Sequence, residues 1–146
     1  MLGVRPLAAF LGCLALGCGS ATAQQTDQRL TSARTLFCEF AAGTGVDWEG
    51  GVPRATTRGP FGTTVIFDNI NLRSGTARVI FGNTSNDVVA MYWPQGLSFL
   101  EGGAVLTTVF SNALPDGRLL AVQSRHFSVF TPNVSQYYGS CEIGGV

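Results

Sequence analysis

One stretch, residues 117–141, holds most of the side chains whose chemistry simple strand alternation does not explain. It contains the chain's single histidine, His126, directly behind Ser124 and Arg125. After a turn signal at Thr131, Pro132 and Asn133 come Tyr137, Tyr138 and Cys141. An imidazole beside a hydroxyl is the start of a hydrolytic site, with Ser124 as nucleophile, His126 as general base and Asp68 or Asp116 to orient it. No nucleophile elbow surrounds Ser124, and a lone histidine on a half-buried strand is more often a hydrogen-bonded structural residue, so no catalytic residue is assigned. Arg125 beside two tyrosines suits stacking on an aromatic or carboxylate ligand, although tyrosines near the last strand of a barrel often serve as its corner or girdle. Asp47 and Glu49 are a poor pair for glycoside chemistry, because a glycine-rich setting offers no apolar environment to raise either pKa.

Two strands and a bend must position these groups. With a period of two, Leu120, Val122, Ser124 and His126 share one face, and that face is expected to carry an apolar row into a polar patch. The other register turns Arg125 and Gln123 inward, where the guanidinium needs a carboxylate, with Glu39 or Glu142 as the nearest source. In either case a hairpin bending at residues 131–133 is expected to join Ser124, Arg125, His126, Tyr137 and Tyr138 in one polar network, read as a lock on strand pairing ahead of a ligand site. Trp48 completes the candidate ligand-binding set. It is read as the apolar anchor of the glycine-, proline- and threonine-rich segment 43–62, which is expected to be a long loop pinned to the core by that indole, or else a lid.

The chain opens like an export signal: Arg5 supplies the charge, residues 7–16 the apolar core and Ala21-Thr22-Ala23 the small-residue cleavage site. Expected domains are therefore a signal peptide at 1–23, a leader at 24–34 that is disordered or a short helical turn, and a single β-domain at 35–146. The apolar run is too short to span a membrane, so no transmembrane segment is expected after cleavage. Leu16, Gly17 and Cys18 offer an alternative, a lipid-attachment site that would anchor the mature chain at a membrane surface.

Nine basic residues balance nine acidic ones, which leaves no electrostatic footprint for nucleic acid. Every basic residue is arginine and none is lysine, the composition of a GC-rich bacterial gene, which favours a periplasmic or secreted location. Removing Cys13 and Cys18 with the signal leaves Cys38 and Cys141, an even pair expected to form a disulfide between the first strand and the last. Two cysteines and one histidine without close spacing do not make a zinc site, and neither a metal nor a cofactor is expected.

Short β-branched and aromatic runs recur at 35–40, 63–70, 76–81, 87–93, 97–100, 104–110, 118–127 and 135–143, separated by turn residues such as Pro115-Asp116-Gly117. Their connections are too short for crossover helices, so an all-β antiparallel up-and-down meander of about eight strands is expected, closed as a small barrel by the cysteine pair. A two-sheet sandwich is the alternative. An outer-membrane barrel is set aside, since several runs fall short of the roughly 9–11 residues a membrane strand needs. The outline resembles lipocalin-like barrels, and no motif places the chain in a family. Three function classes follow: a module binding an apolar or amphipathic small molecule, with Arg125 or His126 at its polar end; a structural or interaction domain meeting an envelope protein; and, third, a hydrolase using His126. A hollow interior favours the first and a filled one the second.

Overall fold

The computed structural model describes residues 28–62, 64–128 and 132–145. The expected export signal and its cleavage site, with Cys13 and Cys18, lie outside them, as does Thr131 of the expected bend.

Among the described residues nine strands follow one another: β1 (Leu36–Glu49), β2 (Val52–Arg58), β3 (Val65–Asn71), β4 (Thr76–Phe81), β5 (Thr84–Trp93), β6 (Gly96–Glu101), β7 (Val105–Ala113), β8 (Leu119–Ser128) and β9 (Pro132–Ile143). All pairings are antiparallel, and β1 pairs with β9 to close a barrel of eight strands, with β2 as the extra one. The barrel, not the sandwich, is the architecture. Closure pairs Leu36 with Ile143 at one end and Val46 with Val134 at the other, across a β-bulge between Phe40 and Ala42. Cys38 and Cys141 face each other directly on this seam, joined as a disulfide with Cα atoms 4.0 Å apart.

Segment 43–62 is where the expectation fails. It is not a loop: β1 runs on to Glu49, turns through Gly50 and Gly51, and returns as β2, with Gly43 opposite Arg58. Both turn glycines have positive φ, 58° and 82°, a conformation that favours the two-residue hairpin turn and disfavours other residues. Because β3 takes up only residues 36–38 of β1, β2 occupies the same edge from Gly43 onward, while β1 stays paired with β9 as far as Val46, so the tip of the hairpin extends as an arm. Trp48 does not pin it. The indole is 42% exposed near the arm's tip, opposite Pro53.

Strand alternation fills the barrel. Leu36, Cys38 and Phe40, Val65 and Phe67, Val88 and Ala90, Leu97 and Phe99, Leu119 and Ala121 all turn inward into one apolar cluster. At its centre the rings of Phe67 and Phe99 stack, with centroids 4.0 Å apart and planes at 12°. On the outer face exposed charged residues such as Glu39, Asp87 and Glu142 alternate with exposed apolar ones such as Val89, Met91, Leu106 and Leu120. Among the described residues no helix is long and apolar enough to cross a membrane.

One end of the barrel is sealed by part of the leader. Residues 28–32 form a helical turn whose Leu30 is fully buried, with Ala33 beside it in the core. These two apolar residues, three apart, fall on one side of the turn, so this part of the leader is ordered by packing despite its polar composition. Backbone bonds then tie it down: the Ile70 amide donates to the Arg34 carbonyl (3.2 Å) and the Gly144 amide to the Thr35 carbonyl (2.9 Å).

Candidate functional site at the barrel mouth

The other end, where β8 finishes and β9 begins, is polar inside. On β8, Leu119, Ala121 and Gln123 are buried while Leu120 and His126 are exposed, which puts Arg125 on the inner row and Ser124 and His126 on the outer wall. On β9, Gln123 pairs with Tyr137 and Arg125 with buried Ser135, so Tyr137 faces in and Tyr138 faces out. The register is therefore the one with Arg125 and Gln123 inward, and the sheet divides the expected network in two. Outside, the Tyr138 hydroxyl donates to Gln136 Oε1 (3.0 Å), and Gln136 Nε2 donates to Ser124 Oγ (3.4 Å). His126 is exposed on the same wall; its backbone amide donates to the Ala104 carbonyl (2.8 Å). Inside, Arg125 Nε donates to Gln123 Oε1 (2.8 Å), and buried Gln123 passes the chain on through its Nε2 to Thr107 Oγ1 (2.9 Å).

The guanidinium sits among aromatic rings. Arg125 Cζ lies 4.2 Å from the centroid of Phe61, 5.6 Å from Tyr137 and 5.9 Å from Phe81, within the reach of cation–π attraction. Among the described residues no carboxylate comes within 4.0 Å of it: Glu39 and Glu142 face outward, and the ion pairs present are Asp47–Arg58, Asp68–Arg78, Asp116–Arg118 and Glu49–Arg54. Burial pushes the Arg125 pKa down from its ordinary value, while Tyr137 and Glu101 pull it up. Glu101 stands two strands from Arg125 in the same inward cross-strand row, through Val105, and Asn86 Nδ2 donates to its Oε1 (2.8 Å).

Glycine makes the cage fit. A Cβ on Gly43 would come within 2.7 Å of Tyr137 Cδ1, so the bare backbone of β1 is what lets the tyrosine ring lie against it. The cross-strand row running through Arg125 continues over Ser135 and Gly45 to Thr56, whose hydroxyl oxygen is buried without a hydrogen-bond partner among the described residues.

Of the six residues expected to bind a ligand, the structure brings Arg125 and Tyr137 together, and leaves Ser124, His126 and Tyr138 on the outer wall and Trp48 on the arm. The parts of the hydrolytic reading are dispersed. Asp116 is bonded to Arg118 in the turn before β8, at the far end of the strand from His126, and Asp68 holds Arg78 in a two-point pair. Phe61, Phe81 and Thr107, none of them among the expected site residues, complete the mouth together with Gln123, which the alternative register turns inward. Among the described residues no cluster of histidine, cysteine and carboxylate side chains could hold a metal. No family model, curated protein or solved structure matches the chain.

Proposed function

We propose that the chain is an exported binding module that holds the anionic end of a small amphipathic molecule at the barrel mouth, not in the barrel interior. One observation carries the reading: a partly buried guanidinium ringed by Phe61, Phe81 and Tyr137 that makes no ion pair among the described residues, the carboxylate of Glu101 standing two strands away. A cation withdrawn from water normally acquires an anion, and Arg125 Nε is already engaged by Gln123, which leaves the terminal nitrogens to present a bidentate face. The unpartnered Thr56 hydroxyl in the same cross-strand row supports a ligand that also accepts or donates there. Export is supported by the Cys38–Cys141 disulfide, which belongs to an oxidising compartment.

The test is titration with octanoate, followed through the Arg125 side-chain NMR resonances, with octanol as the uncharged control. Saturable shifts with octanoate, absent with octanol and weakened about tenfold or more in Arg125→Met, are expected for a charge-assisted contact. Equal responses to both probes, or none, would remove the mouth from consideration as a ligand site.

The second reading, an interaction domain, is favoured by an apolar groove of about 390 Å³ on the outer wall, lined by Phe110, Leu120, Val122 and Tyr138. Leu120→Asp separates the two, since it alters that wall and leaves the mouth intact.

A further inference from the structure

We infer that the ligand is an arylalkyl carboxylate and that Phe61 occupies its place in the structure described. The inference rests on reading the mouth as a ligand site. Phe61 meets the other members of the cage and the core ring behind them: its ring lies 4.2 Å from Tyr137, 5.4 Å from Phe40 and 5.8 Å from Phe81, centroid to centroid, and 4.2 Å from Arg125 Cζ. The surrounding space is thus shaped to a benzyl group and lined by ring edges and faces, the arrangement that selects aromatic over aliphatic guests.

Phe61 differs from its neighbours in how it arrives there. Phe40, Phe81 and Tyr137 project from strands of the barrel, whereas Phe61 enters from the link between β2 and β3, in the run Gly59-Pro60-Phe61-Gly62. Its amide donates to the Phe40 carbonyl (3.1 Å). Beside it the link is loosely packed: a Cβ added at Gly59 or Gly62 would meet nothing within 4 Å, and Gly62 has a φ of 69°. A ring attached in this way can leave without disturbing a strand ladder. What it would uncover is a phenyl-sized gap walled by Phe40, Phe81 and Tyr137, with the Arg125 guanidinium over one side of it.

A carboxylate attached directly to the ring would be held in the ring plane. One methylene between them frees it to turn into the guanidinium plane and bond both terminal nitrogens. The class that satisfies ring, spacer and charge together is an arylacetate or its longer homologues, and phenylacetate is its smallest member. Phe61 supplies the benzyl part and lacks the anion, so it is displaced by a ligand that offers both.

Isothermal titration of the full mature protein with phenylacetate, phenylacetamide and octanoate tests this. Phe61→Ala is expected to bind phenylacetate at least tenfold more tightly than the native protein, Phe61→Leu to fall between them, and Phe61→Ala combined with Arg125→Met to lose the gain. Phenylacetamide is expected to bind every variant weakly. If octanoate binds the native protein while Phe61→Ala and Phe61→Leu bind phenylacetate no better than the native chain, Phe61 is a wall of the site and this inference fails while the mouth reading stands. If no carboxylate binds any variant, both fail. Should Phe61→Ala not fold, the Phe61→Leu comparison decides alone.

Discussion

The two ends of the barrel solve the same problem with opposite chemistry. At the closed end, fully buried Leu30 joins the apolar core, Phe67 and Phe99 stack within that core, and the Cys38–Cys141 bond fastens the seam. At the mouth the buried groups are an amide, a hydroxyl and a guanidinium, matched to one another and to ring faces but not to a counter-charge. The first arrangement is complete within the chain. The second leaves its guanidinium without an ion pair among the described residues, and that asymmetry is why the mouth, and not the interior, is the place to test for function.

If the ends differ in this way, they should respond differently to damage. The largest effect belongs to the seam. Replacing both Cys38 and Cys141 by alanine releases a loop of sequence separation 103, worth about 4–5 kcal/mol in the chain-entropy model, and urea denaturation should show a loss of that order. A stability unchanged by the double replacement would mean that the strand ladder alone carries closure. Next comes the core: Phe99→Ala should cost about 3–5 kcal/mol by the same assay. Arg125→Met, at the other end, should cost only about 1–2 kcal/mol, the size of a cation–π contact plus one hydrogen bond. Equal losses at Phe99 and Arg125 would break the contrast.

The smallest effect concerns acid. Asp68 on the outer wall has its pKa lowered, chiefly by hydrogen bonds from Arg78, with burial opposing. Its folded pKa lies below the unfolded value of about 3.9, so its contribution is complete at neutral pH and fades as the pH falls below about 4 and through the folded value. Asp68→Asn should flatten the pH dependence of the melting temperature in that window. Arg125 makes no ion pair among the described residues, so its change to methionine should alter that window less than Asp68→Asn does.

Much of this architecture was legible because barrel strands are half-buried, and half-burial writes alternation into the chain. Runs such as 76–81 and 97–100 fell within a residue or two of β4 and β6, and the cysteine pair carried closure. The arm escaped notice for the converse reason. Both of its faces meet solvent over much of its length, so 43–58 carries little apolar periodicity, and Gly50-Gly51 was its only hairpin signal. At the site, period two was right and phase was ambiguous. Leu119 and Ala121 form one apolar row, Leu120 and Val122 the other, and nothing in their composition says which is inside. The row that leads to His126 turned out to be the wall, and the row that leads to Arg125 the lining. Phe61 had one mark, a lone ring between chain breakers, and that pattern describes a pinned loop as readily as a plug.

The seam has a topological consequence. With Cys38 bonded to Cys141 and β1 lying against β9, the chain between those cysteines is a ring, and a ring has no privileged starting point. New ends could be cut at an exposed turn such as Gly82-Asn83, between β4 and β5, without removing a strand from its neighbours, provided the old ends are bridged or the cysteine bond is kept. The order in which these strands are written is therefore a property of the gene, whereas their order around the wall belongs to the folded molecule and would survive rewriting.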